Sequence, residues 1–140
     1  MKNYLFSFLV SIIFMSACKK ENNTPTAPVV EAVDTTARVK NTGAFVNGPY
    51  GNVSGTVKIL VKDAKLSLVL ENVTISNGPD LRVYLSKELL PINFIDLGKL
   101  KSVSGTQVYD ISGMPDFKEY KYALIHCQLF NHLFGSALLK

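Results

Sequence analysis

Val57–Glu71 reads VKILVKDAKLSLVLE, and its spacing decides the class of fold. Val57, Ile59 and Val61 alternate with Lys58 and Lys62, Asp63-Ala64 follows, and Leu66, Leu68 and Leu70 then alternate with Ser67, Val69 and Glu71. A period of two sends successive side chains to opposite faces of a strand, so each half has one buried face. The tight link between the halves makes them a hairpin.

The same grammar recurs on both sides of the hairpin. Upstream, Gly43–Pro49 reads as a short first strand that ends in a Gly-Pro turn. Downstream, Asn77-Gly78-Pro79-Asp80 is a turn signal, with Gly for permissive backbone angles and Pro to fix the next residue. Leu81, Val83 and Leu85 then alternate with Arg82 and Tyr84 in another strand. Pro91 prevents a long helix in Glu88–Lys101, which is expected to be a loop with a short strand near Ile95–Leu100. Gln107–Ile111 is a further strand, and Ser112–Lys118 a Gly/Pro turn region. Val103-Ser104-Gly105-Thr106 repeats Val53-Ser54-Gly55-Thr56 ahead of a strand in each case, and a shared turn geometry explains four residues better than a duplication. No helical period runs for ten residues or more, and no βαβ unit is present. The expectation is one all-β domain over residues 42–140, an antiparallel β-sandwich or small barrel of short strands.

The first forty residues have a different character. Lys2 supplies a positive n-region, Tyr4–Met15 an apolar core too short to span a bilayer comfortably, and Ser16-Ala17 the small residues before a cleavage point. Residues 1–17 therefore read as a signal peptide. Met15-Ser16-Ala17-Cys18 resembles the lipobox of bacterial lipoproteins, with Met where Leu is more usual, which makes Cys18 the lipid-bearing first residue of the mature chain. The expected place is the bacterial cell envelope, lipid-anchored at the outer membrane. Residues 18–41 then form the lipidated cysteine and a flexible tether: Lys, Asn, Thr, Pro and Ala predominate, and Pro25 and Pro28 oppose regular structure. A coil of that length spans roughly 25–30 Å, enough to hold a domain off a membrane. Val29, Val30 and Val33 are the place where a short edge strand could form instead.

Lipidation of Cys18 leaves Cys127 as the sole thiol, so no intramolecular disulfide is available. Cys127 lies in KYALIHCQLFNHLFG, Lys121–Gly135, with both histidines. Tyr122–Phe130 is dense in aromatic and aliphatic residues and reads as a central strand. Alternation puts Cys127 with Ala123, Ile125 and Leu129, and His126 on the other face with Tyr122, Leu124, Gln128 and Phe130. On that reading Cys127 is a small buried hydrophobe, and His126 cannot serve as its base. His132 lies an odd number of residues away and meets the same difficulty unless a bulge intervenes at Gln128–Asn131. Along a straight strand His126 and His132 would be about 20 Å apart, too far for one metal ion. The ordinary reading makes His126 a packed or hydrogen-bonded strand residue and His132 a loop or strand-end residue.

Taken together, GPDLRVYLS at Gly78–Ser86, DLGKLKSVSGTQVYDI at Asp96–Ile111, DFKEYKYALIHC at Asp116–Cys127 and FGSALL at Phe134–Leu139 resemble the electron-transfer DM-thirteen domain family, over nearly all of Gly43–Leu139. The resemblance implies a β-rich extracytoplasmic module that acts in redox or electron transfer through one cysteine, which falls on Cys127. The chain departs from the family pattern at His126, where an aromatic residue is common, and at Leu129, where a polar or basic one is. The second departure makes the site less favourable to a thiolate. Gly78-Pro79-Asp80 and Phe134-Gly135 have structural explanations, the first as a turn in which Asp80 caps neighbouring amides, the second as the end of the final hairpin.

Other functional classes have little support. The sequence contains no G-x-S-x-G and no acidic pair in a catalytic motif, so hydrolysis is not indicated. Loss of the signal would leave fourteen basic and eleven acidic side chains, with lysines dispersed rather than clustered with aromatics, which does not suit nucleic acid. Neither a phosphate-binding Gly loop nor CxxC or CxxCH is present, and no cofactor or metal site is indicated. Two readings remain: a redox or electron-transfer module acting through Cys127, with an envelope redox protein as partner, and a non-catalytic envelope binding or structural module. Both place the membrane as a partner through the N-terminal lipid, and neither makes the chain a stand-alone enzyme.

Overall fold

The computed structural model describes residues 23–140, and among these every regular element is a strand. The expected signal peptide, Cys18 and the first residues of the expected tether lie outside the described residues. The strands are β1 (Val29–Val30), β2 (Arg38–Asn47), β3 (Val53–Lys62), β4 (Lys65–Ile75), β5 (Leu81–Ser86), β6 (Phe94–Lys99), β7 (Ser104–Ile111), β8 (Tyr122–Cys127) and β9 (His132–Leu138). They form one curled sheet in the order β1-β7-β4-β3-β2-β9-β8-β5-β6, antiparallel throughout except for β1 beside β7. The all-β expectation holds, with the sheet rolled into a half-barrel.

The hairpin at Val57–Glu71 is the centre of one half of this sheet, between β7 and β2. Lys62 pairs with Lys65, and the two residues between them, Asp63 and Ala64, both have positive φ, at 48° and 60°. That is the backbone of a two-residue turn whose twist matches the strands it joins. Its apolar positions, Val57, Ile59, Leu66, Leu68 and Leu70, are buried. They meet Val83, Leu85, Ala123 and Ile125 from the other half of the sheet in a single core. Each such aliphatic side chain removed from water is worth about 1.5–3 kcal/mol, so the alternating pattern is itself the source of the fold's stability.

One long strand makes the roll possible. The first part of β2, from Arg38 to Ala44, pairs with β3, and its last residues, Phe45 to Asn47, pair with β9. The strand thus leaves one half of the sheet and enters the other. Glycines at two bulges have the same geometry: Gly55 (φ 109°) and Gly105 (φ 108°) are the third residues of the two Val-Ser-Gly-Thr sequences. The two sequences thus share a local backbone geometry, but it lies within β3 and β7 rather than in a turn. A side chain at Gly105 would collide with the Val29 backbone, so its absence lets β1 dock.

Four placements differ from expectation. The tether expected over residues 18–41 is, from Asn23 on, laid along the domain. Thr24 is buried with its amide and hydroxyl on the Gly78 carbonyl, the Pro25 carbonyl accepts from the Val103 amide, and the Ala27 carbonyl accepts from Ser102 Oγ. Val29 and Val30 form the edge strand, and β2 starts at Arg38 rather than near Gly43. Prolines do not oppose this, because an edge segment can bond through carbonyls alone. The strand expected over Tyr122–Phe130 ends at Cys127, a turn occupies Gln128–Asn131, and His132 opens β9. Phe134-Gly135 lies inside β9 rather than at the end of a hairpin.

Candidate functional site

Cys127 is the last residue of β8, between Leu81 of β5 and His132 of β9 in the register. Its side chain follows Ala123 and Ile125 to the core face and is 1% exposed. The turn before β5 closes over it. The thiol donates to the Pro79 carbonyl at 2.9 Å, and the next amide, Gln128, donates to the Asp80 carbonyl at 3.1 Å. Asp80 adopts φ 50°, which bends the chain so that two successive carbonyls face the end of β8. A thiolate in this position would face a carbonyl oxygen instead of a donor or a cation. The expected cap from the Asp80 side chain is not formed; its Oδ1 lies 3.6 Å from Arg82 Nε.

His126 lies on the opposite side of β8, as alternation requires. It is 2% exposed, with its ring 5.4 Å from that of Tyr84. Nε2 donates to Asn131 Oδ1 at 3.0 Å, which fixes the tautomer and leaves Nδ1 buried without a partner. Burial is the main cause that holds the imidazole below the ordinary histidine pKa, and His132 adds to it. The hydrogen-bonded strand residue expected at this position is present, and it serves the β8–β9 turn.

The turn at Gln128–Asn131 removes the 20 Å separation that a straight strand would have imposed, since His132 pairs directly with Cys127. The thiol still gains no base. The register slips between Ile125 and His126, and His132 lies flat against Tyr50, with ring centroids 3.7 Å apart and planes within 3°. Asn131 (φ 53°) is the sequence signal for this turn, because Asn tolerates the left-handed region where most residues do not. Among the described residues no three His, Cys, Asp or Glu side chains converge with metal-ligand geometry.

A charged cluster that the sequence did not reveal lies on the His126 side. Arg82 pairs with His126 across β5 and β8, donates to Asp96 at 2.6 Å from Nη1, and faces Asp80. Tyr84 and Phe94 stack beside it at 4.4 Å. Burial, then the Asp96 charge, raises the Tyr84 phenol above its ordinary pKa. These residues come from β5, β6 and the turn before β5, so no local motif could join them.

The comparisons with known proteins bear on the same region. A sequence model of the family described as electron transfer DM13 matches residues 44–139, which takes in β3 to β9, the turn over Cys127 and Cys127 itself. No curated protein and no solved structure matches the chain.

Proposed function

We propose that this chain, which belongs to the electron transfer DM13 family, is an electron-transfer module held to the bacterial envelope by a lipid on Cys18, with Cys127 as its redox residue. The observation that carries the reading is the family match, which spans the segment around the single free thiol of the described residues. The N-terminal sequence supports the anchor: an apolar signal segment ends at Ser16-Ala17-Cys18. An envelope redox protein is the partner that this chemistry calls for.

The geometry sets a condition on that role. A sulfur at 1% exposure that donates to the Pro79 carbonyl is not open to a partner. Thiol chemistry at Cys127 then needs the Asn77–Asp80 turn to lift. The buried sulfur also favours a second reading, an envelope binding or structural module in which Cys127 only fills the core.

Thiol alkylation of the folded domain, followed against pH, separates the two. Labelling faster than global unfolding, and gained below the free-thiol range near 8.5, supports the redox role. Labelling only upon unfolding, with a Cys127→Ala variant that keeps its partner interactions, rejects it. The anchor is tested separately: Cys18→Ser should release the protein from membranes, and retention of that variant with no lipid mass on the wild type refutes acylation.

A further inference from the structure

One end of the domain is built for an apolar surface. Three turns meet there: Gly48–Gly51 between β2 and β3, Ser76–Asp80 between β4 and β5, and Gln128–Asn131 between β8 and β9. They are bonded to one another, Ser76 amide to Asn52 carbonyl at 2.9 Å and Gln128 amide to Asp80 carbonyl at 3.1 Å. The Phe134 ring occupies the space that a Cβ on Gly51 or Gly78 would need, which draws the turns together. From this end Tyr50, Leu129 and Phe130 project, 56%, 57% and 58% exposed. Tyr50 and Phe130 both contact the His132 ring, so the group is a fixed aromatic platform.

Charge is distributed accordingly. In residues 47–52, 76–80 and 128–131 the only charged side chain is Asp80, and Arg82 lies against it. The β6–β7 connection at the same end adds Lys99 and Lys101, the latter paired with Glu31, and lysines beside an apolar group suit anionic headgroups. At the opposite end the turns carry Lys62, Asp63, Lys65, Lys87 and Glu88. Burying uncharged turns whose polar groups are already hydrogen-bonded costs less than burying unpaired charge.

The course of the chain indicates the occupant. Asn23 bridges to Pro79, and Thr24 bonds to Gly78, in one of the same three turns. Cys18 is five residues away, so at full extension it lies within roughly 18 Å of this end. We propose that these three turns rest on the lipid surface, with Tyr50, Leu129 and Phe130 entering the headgroup region of the bilayer. This rests on the reading of Cys18 as the anchor. Tyr50, with a polar end on an apolar body, suits that depth, and the wholly apolar Leu129 and Phe130 suit the acyl boundary about 5–10 Å into the interface. The competing apolar loop, Leu89–Ile92, lies at the far end of β5 beside Lys87 and Glu88, so it cannot reach the same surface.

The chain contains no tryptophan, so one introduced residue reports cleanly. The acylated full chain carrying Phe130→Trp, reconstituted into phosphatidylcholine and phosphatidylglycerol vesicles with brominated acyl chains, should lose about half its emission at that depth. The Ile92→Trp chain should lose none. An unquenched Phe130→Trp, or equal quenching of Ile92→Trp, overturns the proposal. If mass spectrometry finds no acyl group on Cys18, the anchor reading fails by itself. The Phe130→Trp chain coupled through the Cys18 thiol to maleimide-lipid vesicles then still decides the contact: quenching supports it and no quenching overturns it.

Discussion

Thr24 donates twice to the Gly78 carbonyl, from its amide at 3.3 Å and its hydroxyl at 3.1 Å, and Gly78 lies in the turn whose next residue, Pro79, accepts from the Cys127 thiol. The segment that leads in from the N-terminus is thereby fastened to the cover of the Cys127 thiol. Opening the cover requires more than bending the turn.

The Thr24→Val substitution keeps the shape and removes the hydroxyl bond, worth about 1 kcal/mol. If the cover opens locally, Cys127 alkylation in a Cys18→Ser background should speed up by about fivefold. An unchanged rate with unchanged global stability would show that access to the sulfur does not pass through this contact.

Glu31 holds the same segment farther along. Its carboxylate accepts from Lys101 Nζ at 2.7 and 2.8 Å and from the Val108 amide at 2.6 Å. The Lys101 bond, then the amide, hold its pKa below the ordinary value. Stability from this contact is full above the unfolded carboxyl pKa near 4.5 and is lost as pH falls through the lowered folded value. The site is partly open to water, so Glu31→Gln should cost only about 1 kcal/mol at pH 7. Its cost should shrink toward zero in acid, as read by denaturant titration at the two pH values.

His126 imposes a second, separate acid sensitivity. Burial depresses its folded pKa, so stability is full above the unfolded value near 6.5 and falls as pH drops through the depressed folded value. The slope in that window is bounded by about 1.4 kcal/mol per pH unit for one proton. Replacement by Gln should flatten the profile between pH 6.5 and the carboxylate range. A profile that keeps its slope would show that the buried imidazole is not the source.

Ala64 pays for its position in the β3–β4 turn, where its φ is 60°. Ala64→Gly should raise stability by about 0.5–1 kcal/mol, because relief of left-handed strain outweighs the added freedom of the unfolded chain. Thermal unfolding should show a rise of a few degrees, and a fall would mean that the alanine methyl makes a compensating contact.

What the sequence alone determined is what repeats over two residues. Val57–Glu71 announces its hairpin because strand side chains alternate whatever their partners are, and the same rule correctly puts Cys127 and His126 on opposite faces. The end of β8 was not legible in this way: Leu129 and Phe130 continue an apolar run, yet they lie in the turn that the left-handed backbone of Asn131 closes. Nor was the docking of residues 23–31, whose composition is that of a coil. Their order comes from carbonyls and side chains that answer amides on a distant edge, Pro25 to Val103 and Glu31 to Val108, and such partners are chosen only once β7 is in place. The tertiary structure likewise decided that Cys127 is covered. The turn over the thiol comes from a part of the chain forty-eight residues away, and no local pattern carries information over that distance.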